Sequence, residues 1–125
     1  MVNNIINAIS IKLNQVFGDG YRIYDESVKQ GLKEPCFLVL ALNPSQSTLI
    51  GNRYIRQHPF DIHYFPLVTD SKRELQDMGS KLFEVLEYIT LEDGDLLRGQ
   101  EMRYETVDGV LHFFVDYNMV VKKNI

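Results

Sequence analysis

The chain has one cysteine, Cys36, so no intrachain disulfide can form and a reducing compartment suits it. It has no apolar run long enough to span a membrane. Its N-terminus has neither the basic region nor the apolar segment of a signal peptide, so residence in the cytoplasm where it is made is expected. An excess of basic charge is also missing. The net charge is −4 and the pI about 5.3. That balance argues against broad or sequence-specific nucleic-acid binding, which runs on clustered Lys and Arg. Here Lys29, Lys33, Arg53, Arg56, Lys72, Arg73, Lys122 and Lys123 are scattered along the chain. The triplet Asn43-Pro44-Ser45 has proline at its centre and is not a glycosylation acceptor.

Chemical motifs are scarce as well. His58, His63 and His112 stand in no His-x-x-x-His or Cys-x-x-Cys context, so no metal ligand is assigned. His63 and His112 fall on the polar faces of two strand patterns; they could be neighbours across a sheet, but solvated side chains are the expectation. Gly18-Asp19-Gly20 follows a helix and precedes a strand, the reverse of the order that cradles a phosphate. Cys36 opens an apolar strand, which raises a thiol's pKa and leaves it inert. Glu105 and His112 face each other across a hairpin, an arrangement expected as a cross-strand polar pair rather than an oriented base. No catalytic residue and no cofactor site is assigned, and the chain does not read as an enzyme.

What the sequence does contain is a core. Of 125 residues, 45% are apolar and 24% charged, which fits a single domain over residues 1–125. Residues 2–17 carry Ile5, Ile6, Ile9, Leu13, Val16 and Phe17 at helical spacing. Asn3 or Asn4 is the expected cap and Gly18 the stop. A short strand follows at Tyr21–Tyr24, then a polar connection at Asp25–Glu34. Cys36–Asn43 reads as a strand buried on both faces. Asn43–Asn52 reads as a turn-rich loop. Arg53–Phe65 is a long strand, with Pro59 marking a bulge or an edge.

Residues 71–89 form the second helix, opened by a capping box at Ser71 and Glu74. Gly79 interrupts its apolar stripe at a cost of about 1 kcal/mol, for which close approach to the sheet would compensate. Leu91–Gln100 reads as a connection with a turn at Asp93-Gly94. The chain closes in a hairpin, Met102–Val121, around Asp108-Gly109. A two-residue turn sets Val107 opposite Val110, Tyr104 opposite Phe113 and Glu101 opposite Asp116. Alternation places Tyr104, Leu111, Phe113, Val115 and Tyr117 on a dry face, with Arg103, Glu105, His112, Asp116 and Asn118 opposite. The resulting α-β-β-β-α-β-β order points to an α+β fold. Two amphipathic helices would pack on one face of a mostly antiparallel twisted sheet that ends in a β-hairpin.

Gly99 should limit the first hairpin strand, yet the second strand's pattern runs on through Tyr117, Met119 and Val121. The overhang needs a partner, either the sheet's far edge or a neighbouring subunit. At these residues the sequence resembles a known family. Ile23-Tyr24, the stretch Gln30 to Phe37, and Phe60-Asp61-Ile62-His63-Tyr64-Phe65-Pro66 carry the resemblance. The segments Met78 to Phe83 and Phe114 to Asn118 fit it too. The chain is similar to the tail terminators, or tail completion proteins, of Gram-positive prophages and contractile phage-tail-like particles.

The resemblance implies a structural protein of a tail or virion. Such a protein forms a hexameric ring at the head-proximal end of the tail tube, stops tube and sheath polymerisation, and offers a head-joining surface. Its partners would be copies of itself, tube and sheath proteins, and a head–tail connector, with no membrane involved. The residues taken here as the candidate assembly interface are Ser45, Gln46, Thr48, Asn52, Arg53, Tyr117, Met119 and Val121. A different neck or connector protein is the nearest alternative reading. A small α+β binding adaptor, which would need a deep apolar pocket, is the alternative from another class.

Overall fold

The computed structural model describes residues 1–25, 31–67 and 71–122. Its elements are α1 (Val2–Phe17), β1 (Arg22–Asp25), β2 (Cys36–Ala41), β3 (Ser45–Thr48), β4 (Arg53–Phe65), α2 (Lys72–Val85), β5 (Tyr88–Thr90), β6 (Leu96–Val107) and β7 (Val110–Lys122). The sheet runs β1-β2-β4-β7-β6-β5, with β3 paired to β4 off that path. Among the described residues only β1 and β2 pair in parallel; the other pairings are antiparallel. Both helices pack on one face, so the α+β expectation holds. The polar connection expected at Asp25–Glu34 falls partly outside the described residues, at 26–30.

Periodicity explains the helices. Ile5, Ala8, Ile9 and Leu13 form the buried stripe of α1. Each fully buried Ile or Leu contributes about 1.5–3 kcal/mol. They belong to one core with Phe37 and Val39 of β2, Phe60, Ile62 and Tyr64 of β4, and Leu111, Phe113, Val115 and Tyr117 of β7. Gly18 ends α1 at φ 80°, donating its N–H to Asn14 at 2.8 Å. The start differs from expectation: Met1 occupies the cap position without a side-chain bond, because the helix begins one to two residues before the asparagines.

α2 keeps half of its capping box. Ser71 Oγ accepts from the Glu74 amide at 3.3 Å. The Glu74 carboxylate does not turn back to Ser71. Its Oε2 accepts from the Tyr64 hydroxyl at 2.6 Å and from the Leu67 amide at 3.2 Å, fastening the helix start to β4. The helix also stops earlier than periodicity suggests. Leu86 caps it, and Ile89 belongs to β5, although both match the helical stripe. Asp93-Gly94 is a turn as expected, but it joins two strands, β5 and β6, rather than sitting within a connection.

Two glycines mark where the layers touch. A Cβ on Gly79 would lie 2.8 Å from the ring of Tyr104, so α2 lies directly on the hairpin. A Cβ on Gly99 would lie 2.8 Å from the carbonyl oxygen of Leu86 and 2.9 Å from Val115. Gly99 therefore does not limit β6. It lets the strand pass beneath the end of α2, donating its N–H to Glu87 at 2.6 Å.

The hairpin register holds from Val107↔Val110 to Arg103↔Phe114 and then slips. Gln100, not Glu101, pairs with Asp116, because Glu101 takes φ 53° and inserts a bulge. Beyond Gly99↔Tyr117, β6 leaves β7 and pairs with β5. The overhang of β7 is matched on its other side: Asn118 to Lys122 pair with Gln57 to Arg53 of β4. The chain's own β4 thus supplies a partner on that side, while the side that β6 leaves carries no strand among the described residues.

Pro59 leaves the ladder of β4 with β7 unbroken, from Arg53↔Lys122 to Tyr64↔Leu111, and marks a local edge on the other side of the strand. Its carbonyl accepts from Leu42 at 2.9 Å, on the side where β2 has ended and β3 has not begun. The donor that proline lacks is missing at a gap between neighbours, where a ladder bond is not required.

Candidate assembly surface

The segment expected to be a loop, Asn43–Asn52, contains a strand. β3 pairs with β4 from Ser45↔Gln57 to Thr48↔Tyr54. All four of its residues are exposed. With neither face buried it carries no apolar alternation, so only backbone pairing defines it. Leu49 donates its N–H to Arg53 at 2.8 Å, and Gly51 turns the tip at φ 76°.

β3, the first half of β4 and the end of β7 form a three-stranded tongue. Ser45, Gln46, Thr48, Asn52, Arg53, Met119 and Val121 all lie on it. Tyr117 does not. It is fully buried, and its hydroxyl donates to the Leu86 carbonyl at 2.7 Å, so its alternation signal belongs to the core. The register separates two tongue faces. Gln46, Thr48, Tyr54, Arg56, Met119 and Val121 share the face on which the helices pack further along the sheet. Ser45, Ser47, Ile55, Gln57, Asn118 and Val120 share the other. Side chains brace the strands: Ser45 Oγ donates to Gln57 at 2.9 Å, and Arg56 Nε donates to Gln46 at 2.7 Å.

Three features single out this surface. Both of its long edges carry open backbone among the described residues: β3 pairs only with β4, and β7 past Tyr117 pairs only with β4. It presents large apolar side chains, with Ile50 96% exposed and Val120 64%. Its charge opposes that of the chain. Arg53 and Lys122 are cross-strand partners on one face and Arg56 lies on the other, while residues 42–58 and 117–122 contain no Asp or Glu. The pairing of Arg53 with Lys122 appears only once β4 and β7 lie side by side, and the sequence alone does not single out Arg56 or Val120.

At the root of the tongue sits His58, 5% exposed, with neither ring nitrogen hydrogen-bonded. Burial, then the charge of Arg56, then the N-terminal charge lower its pKa from 6.5. Cys36 is also buried, and its thiol is pushed up to about 11 by burial and then by Glu34. That matches the inert reading.

On the sheet face away from the helices, His63 and His112 are direct cross-strand partners rather than separate solvated residues. Asp61 joins them. Its Oδ2 lies 2.9 Å from His63 Nε2 and 3.3 Å from His112 Nδ1. Strand alternation identifies each polar face, but pairing β4 with β7 requires a register between strands that are not neighbours in sequence. Glu105 and His112 are register partners, as the turn geometry requires. The Glu105 carboxylate lies 3.9 Å from Arg103, itself 4.0 Å over the Phe114 ring.

Seven strands and two helices thus define, among the described residues, a sheet-dominated scaffold with an open-edged tongue. A family model described as phage tail terminator protein matches residues 4–125, essentially the whole chain. The chain belongs to the phage tail terminator family, a family of structural proteins, and its place is in a phage tail or tail-like particle, assembled with other tail components. A search of curated proteins returns no match. One solved structure is 9% identical to it, with a TM-score of 0.51 over 98% of this chain and 96% of that one. That likeness is one of fold alone. No helix among the described residues is long and apolar enough to cross a membrane.

Proposed function

We propose that copies of this chain close into a ring, six to a ring, that caps the head-proximal end of a contractile tail. The cap stops polymerisation of tube and sheath and presents a joining surface for a head; in a headless particle it would simply finish the tail. Assembly would take place in the host cytoplasm. Membership of the family carries this reading. The tongue supports it physically, because exposed strand edges and exposed Ile50 and Val120 are suited to contact with another protein. A heterologous contact that closes on itself gives an object with two unlike faces, as a cap requires. The proposed docking residues are Ser45, Gln46, Thr48, Asn52, Arg53, Met119 and Val121, joined by Ile50 and Val120.

Deletion of residues 45–50 tests the assignment. Because β3 is exposed throughout, the shortened protein should melt close to the parent. Particles assembled with it should have tails of abnormal length in negative-stain microscopy. Tails of normal length would refute the tongue's role, and absence of rings on tail ends capped by the parent protein would refute the ring.

A further inference from the structure

We propose that Asp61, His63 and His112 form a binding site for one divalent transition-metal ion, of the zinc class, on the sheet face opposite the helices. Three ligand atoms, one from each residue, lie within 4.8 Å of one another. Two of the separations are 2.9 Å and 3.3 Å, both measured from Asp61 Oδ2. Ligand bonds of ~2.0–2.2 Å around a tetrahedral ion place neighbouring ligand atoms ~3.3–3.6 Å apart. The cluster therefore needs only a few tenths of an ångström of adjustment at those two edges.

The carboxylate supplies the second argument. Asp61 is only 8% exposed, and its Oδ1 is buried with no hydrogen-bond partner. Its cross-strand neighbours in register are Leu40 and Phe114, which offer no side-chain donor. A buried carboxylate is ordinarily paired with a full charge or bound to a metal. Here it has two imidazoles, both on the same oxygen. A divalent ion seated between Oδ2 and the two ring nitrogens would supply that charge.

The ligand chemistry narrows the ion. Two imidazole nitrogens and one carboxylate suit zinc and its neighbours in the first transition row rather than magnesium or calcium, which favour oxygen. Three protein ligands leave a coordination position, and the two histidine side chains are 18% and 21% exposed, so that position opens toward the surface. The ion would clip β4 to β7 midway along their shared ladder, at the His63↔His112 pair.

The test uses the full chain, freed of any histidine tag and treated with a chelator. Titration with zinc chloride should show saturable binding of one ion per chain in calorimetry and a rise in melting temperature. Cobalt chloride should produce visible d–d absorption that zinc abolishes. His63→Gln and His112→Gln should each weaken zinc binding more than about tenfold while melting normally in chelator. If Asp61→Asn fails to fold, the two histidine variants decide the matter. No saturable binding at millimolar zinc, or binding unchanged in both histidine variants, would overturn the proposal.

Discussion

The Tyr117 hydroxyl donates to the carbonyl of Leu86 at 2.7 Å, inside the core. One hydrogen bond thus ties β7 to the residue that ends α2. Tyr117 is fully buried, and burial holds its phenol protonated far above the ordinary range. The donor is therefore present at every pH at which the protein is folded. Tyr117→Phe removes the donor and leaves the carbonyl short of a partner, at a cost of about 1–3 kcal/mol. Urea unfolding should show a lower midpoint with an unchanged slope. An unchanged midpoint would mean that solvent replaces the bond and that water reaches this end of α2.

Gly79 and Gly99 give a paired prediction. Alanine at either site is favoured by intrinsic propensity, by up to about 1 kcal/mol in a helix. At Gly79 the new methyl meets the ring of Tyr104, a side chain that can turn. At Gly99 it meets the Leu86 backbone carbonyl, which can move only with the end of the helix. Gly79→Ala should cost about 1–3 kcal/mol, as overpacking does. Gly99→Ala should cost more. Tyr104→Ala should relieve the first substitution and leave the second unaffected in a double-mutant cycle. Equal costs, or relief of both, would contradict the contact geometry.

His58 predicts a pH dependence. Its pKa lies below 6.5 in the folded chain, chiefly because the ring is buried. As pH falls through 6.5 the unfolded chain takes up this proton first. The contribution is thus fully present above pH 6.5 and is lost toward the lower folded value, at no more than about 1.4 kcal/mol per pH unit. His58→Leu, which removes two unpartnered buried nitrogens, should flatten the stability profile between pH 7.5 and 5.5. A variant that keeps the parental slope would place the titration elsewhere.

Much of the fold is legible in the sequence, and the misses have physical causes. The stripe of α1, the cap at Ser71, the turn at Asp108-Gly109 and the reach of β4 each follow from local chemistry. The turn-rich Asn43–Asn52 hid β3 because a strand exposed on both faces has no alternation to read. Leu86 and Ile89 extended the helical pattern past the helix because spacing alone cannot distinguish a stripe from two successive elements in the same core. Glu101 gives no composition signal for its positive φ, so the bulge and the true partner of Asp116 were not visible. The Asp61 cluster was half visible. Alternation puts both histidines on polar faces, but their meeting depends on which strands lie side by side, a decision taken by the whole core.

β4 and β7 each run 13 residues without a break, from the helix-covered core out to the tongue. At about 3.3 Å per residue each is a beam of ~43 Å. Its unbroken ladder contains no hinge, and Pro59 spares that ladder by lying on the other side. Force applied to the tip at Arg53 and Lys122 would therefore travel as a tilt into the strands beneath α1 and α2. The tongue is suited to behave as a stiff lever, and a partner gripping it would set the orientation of the whole subunit.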